Sequence, residues 1–342
     1  MRALTVLPLT PNSLELTELA EPSPGPGELL VDGVALGVCG TDRELISCDY
    51  GFPGPRMVIG HESLGRVRSA PPDSGFAADD LVVGVVRRPD PVPCGACAHG
   101  QFDMCRNGEY TERGIKGLDG YGAEQWTVEA DYAVKLDPEL GGLGVLMEPA
   151  SVVAKAWDQA ERIGNRAWFD PRTVLVTGAG PIGLLAALFG VQRGLEVHVL
   201  DLATEGAKPD AVRALGAAYH AALPSLRPDI VIEATGASAL IVDALAGTAT
   251  YGVTVLTGVS SAGHKIDVDL DATNRSIVLE NDAVVGSVNA NLRHYAAAAD
   301  ALAKADKAWL ERLITRRVRL DDYRDAFASR RPDDIKIVVA LE

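Results

Sequence analysis

Residues 173–177 read TVLVT, and the six that follow, Gly178-Ala179-Gly180-Pro181-Ile182-Gly183, set three glycines at the spacing G-x-G-x-x-G before an apolar helical run at 182–193. A continuous run of this kind is a strand buried on both faces of a parallel sheet. The first glycine permits a tight turn, the second lets the backbone approach a pyrophosphate, and the third allows close packing of helix on strand. The helix N-terminus then offers unpaired N–H groups and a positive dipole end to phosphate. Asp201 follows the next strand, 196–200, where a carboxylate can accept hydrogen bonds from a ribose. A glycine turn that binds nothing would leave Asp201 as coincidence. Further strands at 229–233, 252–257 and 283–286, with helical patterns between the first several, make this part doubly wound α/β.

At 342 residues the chain is longer than one hydrophobic core usually serves. The part before Pro149 is rich in Gly and Pro, with β-branched runs at 29–38 and 81–86, and reads as an irregular, mainly β domain. A helix over 151–163 leads into the alternating part. Helices at 295–305 and 309–314 and a strand at 335–341 close the chain, and this last strand is expected to return to the first domain. The expected domains are 1–149 with 291–342, and 150–290.

A net charge of −15 argues against nucleic acid or an anionic membrane as partner. The apolar run at the N-terminus is broken at Pro8 and Pro11, short of a signal segment, and Gly, Pro and charges punctuate every longer run. The expectation is a cytoplasmic protein.

Three of the 5 cysteines, Cys94, Cys97 and Cys105, crowd together, which favours metal over disulfide. Cys39-Gly-Thr-Asp42, Gly60-His61-Glu62 and Glu148-Pro149 carry a thiolate, an imidazole and carboxylates on separate segments. A catalytic zinc needs such a set, with one position left open. Singly each has a plain alternative: a histidine beside glycine is more often structural, and Glu148 could simply end a loop.

The ordered set GVCGTD, IGHE, the cysteine cluster, LMEP and VTGAGPIG resembles the zinc-containing medium-chain dehydrogenases through essentially the whole chain. That resemblance implies a GroES-like mainly β catalytic domain plus a Rossmann domain, with the active site in the cleft between them. CGTDRE, VRRP, YTERGIKG, GSVNAN and DIKIVV are similar to the glucose dehydrogenase branch. Carried over by position, this implies Cys39, His61 and Glu62 as zinc ligands, Glu148 as a further ligand or a substrate contact, and Thr41 as the hydroxyl that relays the proton. Glu112 would bind sugar hydroxyls, and Asn289 would lie between nicotinamide and sugar. Beside the glycine motif and Asp201, the candidate cofactor contacts are Leu202, Thr235, Thr257, Ser287, Val288 and Asn289. A homodimer or homotetramer is expected.

The chain departs from the family pattern in two places. Val86 and Leu279 stand where some sugar-specific relatives carry Asn and His. In the cysteine lobe the first of four ligand positions falls on Pro91, which cannot ligate, so Asp90 or His99 supplies a fourth ligand or the lobe packs as an ordinary loop without metal. Cys48 lies outside every motif.

These readings imply a zinc-dependent oxidoreductase that passes a hydride from C1 of an aldose to NAD, giving the lactone. NAD is expected over NADP by roughly a hundredfold, because Asp201 opposes a 2′-phosphate and no cation follows until Lys208. The first alternative is a polyol, amino-alcohol or secondary-alcohol dehydrogenase. The second is a dinucleotide-binding protein without turnover, against which the intact Cys39, Thr41 and His61 set speaks.

Overall fold

The computed structural model describes residues 1–260, 265–328 and 331–342. They form two compact units, Met1–Ser151 with Asn289–Glu342, and Val152–Val288. The helix Met147–Gly164 starts before the Glu148-Pro149 border read from the sequence, so the chain crosses from one unit to the other inside a helix.

The first unit is organised on the long strand Glu28–Val38 of a seven-stranded sheet. Its pairing with Glu62–Ser69 shifts register between Gly33 and Ala35, so one extra residue reverses which face each side chain takes. Leu29 and Val31 therefore pack with Val67, Val82, Trp126 and Val128, whereas Leu36 and Val38 join Leu4, Ile59, Ile337 and Val339 in a second cluster. One strand thus serves two cores.

The C-terminal strand Lys336–Ala340 pairs antiparallel with that same strand, Ile337 opposite Val38, and so lies in the first unit. Beside it, in parallel, runs Ile314–Arg319, which the sequence reading missed. Its residues ITRRVR bury only Ile314 and Val318, so no apolar run marks it.

The second unit holds a six-stranded parallel sheet in the spatial order Ala218–His220, Glu196–Leu200, Thr173–Thr177, Ile230–Glu233, Val253–Leu256, Ala283–Gly286. The order reverses on passing from Thr173–Thr177 to Ile230–Glu233, and such a switch point leaves a crevice at the carboxyl ends of the strands. The turn 178–183 lies there, followed by the helix Pro181–Gln192. A Cβ on Gly183 would fall 1.7 Å from the Gly178 carbonyl oxygen, so only glycine lets this helix start so close to its strand. Among the described residues no helix is long and apolar enough to cross a membrane.

Candidate active site

Cys39 ends the central strand and caps the helix Gly40–Ser47, placing half-buried Thr41 in its first turn and Asp42 wholly buried beneath. Asp42 Oδ2 accepts the Cys39 N–H at 2.8 Å, and Oδ1 lies 3.3 Å from His61 Nδ1. His61 precedes the strand Glu62–Ser69, where Glu62 pairs with Gly37. A Cβ on Gly37 would meet Glu62 Oε2 at 2.0 Å, so glycine there is the condition for a carboxylate in this place.

The ligand atoms of Cys39, His61 and Glu62 lie within 4.8 Å of one another. Burial alone would lower the His61 pKa, but the Asp42 carboxylate and the Cys39 sulfur raise it well above its ordinary value. Glu148, half-buried in the first turn of Met147–Gly164, is outside that trio. Burial pushes its carboxyl up to about 7, with Glu62 and Asp42 adding to the rise and His61 and Lys336 opposing it. So many anionic donors around one imidazole suit a divalent cation.

Two residues of this cluster were present in the quoted strings but not singled out. Asp42 is buried beside His61, its Oδ1 3.3 Å from Nδ1, and Lys336, only 2% exposed, reaches Glu62 Oε1 at 2.6 Å and the Val38 carbonyl at 3.3 Å. A lysine buried in a strand gives no sequence signal, since only the fold shows that its carboxylate partner is 274 residues away.

Glu112 is buried in the short strand Thr111–Arg113. Its Oε1 accepts from Arg87 Nε at 3.0 Å, Arg87 Nη2 at 2.9 Å and Asn289 Nδ2 at 2.7 Å. Asn289 adopts φ 61°, a left-handed conformation that asparagine tolerates better than most residues. Val86 does not face this group; it is buried against Leu45 and Ile115. Leu279 is 65% exposed on the helix Leu270–Glu280.

In the cysteine lobe the sulfurs of Cys94, Cys97 and Cys105 also lie within 4.8 Å of one another. Neither proposed fourth donor joins them. Asp90 spends its oxygens on the Val92 N–H at 2.7 Å and Asn107 Nδ2 at 2.8 Å, and His99 is exposed with Nδ1 2.7 Å from the Gly95 carbonyl. Pro91 is exposed. Cys48, half-buried, ends the helix Gly40–Ser47 in a left-handed conformation. All five cysteines are free of disulfides.

In the second unit Asp201 Oδ2 accepts the Ala179 N–H at 2.7 Å, tying the glycine turn to the next strand end. Lys208 Nζ lies 3.1 Å from that same oxygen. The isolated carboxylate expected there is therefore an ion pair, because the first turn of the helix Ala207–Ala214 carries the lysine back to the strand end. Leu202 is 88% exposed. The wholly buried carboxylate of Glu233, unread in the sequence, accepts the Thr235 N–H at 2.8 Å, and the Glu233 carbonyl accepts the Thr257 hydroxyl at 2.8 Å. Ser287 is buried, Val288 is exposed, and the Val288 carbonyl is held at 2.8 Å by buried Lys155.

Residues 141–341 match the family described as glucose dehydrogenase C-terminus, and residues 25–138 match the alcohol dehydrogenase GroES-like domain. The chain is 37% identical to a glucose 1-dehydrogenase of Methanocella arvoryzae, covering 100% of this chain and 99% of that one. It is 40% identical to a glucose 1-dehydrogenase of Thermoproteus tenax over 100% of both. A solved structure of Haloferax mediterranei glucose dehydrogenase, in complex with NADP, Zn and gluconolactone, superposes with a TM-score of 0.91 at 31% identity, covering 100% of this chain and 99% of that one. Fold and site together define an α/β dehydrogenase with GroES-like and Rossmann parts that acts on a CH–OH group. Within that class the chain belongs to the glucose 1-dehydrogenase branch of the zinc-dependent medium-chain dehydrogenase/reductase family.

Proposed function

We propose that this enzyme oxidises the C1 hydroxyl of an aldose of the glucose type to the lactone, with NAD as the preferred acceptor. The observation that carries the sugar reading is the Asn289–Glu112 contact. Two side chains 177 residues apart, each expected on the sugar, meet at 2.7 Å on one carboxylate oxygen.

Cys39 and His61, with Glu62 or Glu148, would hold zinc, and the donor set fits it: a thiolate, an imidazole and carboxylates on rigid strand and helix ends. When bound, zinc supplies the Lewis acidity that brings loss of the substrate's hydroxyl proton within reach of neutral pH. The Asp42 carboxylate, 3.3 Å from Nδ1 of His61, would hold the imidazole so that its other nitrogen could serve as a ligand. Thr41 takes up the hydroxyl proton and passes it outward. Glu112 and Asn289 receive the remaining sugar hydroxyls and aim C1, and a bound dinucleotide would supply the acceptor for the C1 hydride.

For the cofactor, the glycine turn at 178–183 and the N-terminus of Pro181–Gln192 receive the pyrophosphate, and Asp201 with Leu202 borders the adenosine ribose. Thr235, Thr257, Ser287, Val288 and Asn289 border the nicotinamide half. The assembly proposed is a homodimer or homotetramer in the cytoplasm, the first part of which sedimentation equilibrium would read.

A polyol or secondary alcohol is the second reading, favoured by Val86, which is packed in the core and offers no hydroxyl a partner. A panel of aldoses, polyols and alcohols, followed by absorbance of the reduced nicotinamide, separates the two. Glu112→Ala is expected to raise KM for the sugar far more than for the dinucleotide. If secondary alcohols exceed every aldose in kcat/KM, the second reading replaces the first.

A further inference from the structure

The groups that hold Glu112 are themselves held by one residue of the cysteine lobe. Arg87 is buried and its guanidinium is committed in three directions: Nε and Nη2 to Glu112 Oε1, Nη1 to the Asp103 carbonyl at 3.0 Å, and its face to the Tyr110 ring, whose centroid is 3.7 Å away. Asp103 lies in the single turn Phe102–Met104, between Cys97 and Cys105. Its carboxylate Oδ1 accepts from Asn291 Nδ2 at 2.7 Å. Asn291 caps the helix Leu292–Lys304 and stands two residues beyond Asn289, the other donor to Glu112.

The backbone of Asp103 therefore fixes the cation on one side of Glu112, and its side chain fixes the chain that carries the amide on the other. With three donors on Oε1, the carboxylate has one defined orientation, and Oε2 receives none of these bonds. We propose that Asp103 is a positioning residue for Glu112, and that closure of the three-cysteine lobe around a thiophilic divalent cation sets the enzyme's affinity for its sugar. The inference rests on the reading of Glu112 as a sugar contact.

The physical reason is the steepness of short bonds to charged groups. The contacts run from 2.7 to 3.0 Å, and a shift of about 0.5 Å takes such a bond out of its favourable range. Sulfurs drawn onto one cation fix both ends of the segment carrying Asp103. When they are not so joined, carbonyl and carboxylate of Asp103 move together, and Arg87 and Asn289 follow. Of the proposed dinucleotide contacts only Asn289 belongs to this chain of bonds; the glycine turn and Asp201 lie outside it.

The test uses the zinc-loaded enzyme and four variants: Asp103→Ala, Asp103→Asn, Cys105→Ser and Glu112→Ala. KM for glucose, KM for the dinucleotide, kcat and Tm are measured for each. Asp103→Ala and Cys105→Ser are expected to raise the glucose KM roughly tenfold, with the dinucleotide KM within about twofold of the parent. Asp103→Asn, which keeps an acceptor oxygen for Asn291, is expected to restore most of the loss. An unchanged glucose KM in Asp103→Ala overturns the proposal, as does a rise in both KM values that simply tracks a fall in Tm. An unchanged glucose KM in Glu112→Ala would instead overturn the reading of Glu112 on which it stands.

Discussion

The ammonium of Lys336 lies 2.6 Å from Oε1 of Glu62, and both side chains are at most 2% exposed. A pair so deeply buried resists removal of either partner alone, because the other is left as an uncompensated charge. Lys336→Met should cost about 3–5 kcal/mol of stability, and adding Glu62→Gln should recover most of it. Denaturant unfolding in the presence of a zinc chelator measures the pair without contribution from metal. Simple additivity of the two substitutions would show that the residues are not coupled.

Exchange of Cys39 or His61 for Ala removes a donor from the trio that converges within 4.8 Å. Turnover should be lost, and zinc content, read by elemental analysis, should fall with it. Dinucleotide binding, followed by titration of the reduced nicotinamide's fluorescence, should stay nearly intact, since the glycine turn belongs to the other unit. A zinc-free preparation with full activity would count against the whole site.

Lys208 changes the expected strictness toward the cofactor. With its ammonium 3.1 Å from Asp201 Oδ2, it offsets the charge that would repel a 2′-phosphate. The preference for NAD should be nearer tenfold than a hundredfold in kcat/KM, about 1.4 kcal/mol. Lys208→Met should widen it, and Asp201→Ser should narrow or reverse it. Steady-state kinetics with both dinucleotides decide, and a preference that ignores Lys208 would show that the lysine does not face the ribose.

Glu129 gives a pH dependence of known sign. Burial would raise its carboxyl pKa, but the hydrogen bond and charge of Arg88, helped by Arg113, hold it down at about 2 against an ordinary 4.5. A depressed folded-state pKa stabilises the fold above the unfolded value, and that stability is lost as pH falls from about 4.5 toward 2. The effect is small, because the side chain is 40% exposed and salt screens it. Glu129→Gln should flatten this stretch of a stability-versus-pH curve, and an unaltered curve would contradict the pairing.

What was legible in the sequence was what local chemistry enforces. The strand Thr173–Thr177 needed only its apolar run, and the turn after it only its glycine spacing, because those constraints act within a dozen residues. The C-terminal strand Lys336–Ala340 showed as an apolar run, while the strand Ile314–Arg319 beside it did not. The site motifs were visible as residue types, and the fold brought Cys39, His61 and Glu62 to one point.

The tertiary structure decided what depends on residues far apart in the chain. Lys336 on Glu62, Arg87 on Glu112 and Asp103 beneath Arg87 are buried charges whose meaning lies in the partner. No periodicity marks such a residue, since a lone lysine or arginine in a sequence reads as solvated surface. The strand Ile314–Arg319 was hidden for a related reason: its place comes from backbone pairing with Lys336–Ala340, not from apolar side chains. Sequence determines which groups are available, and the free energy of burying a charge determines that each must find its counterpart. Which counterpart it finds is set by strand register and by where the chain turns, and those are properties of the folded whole.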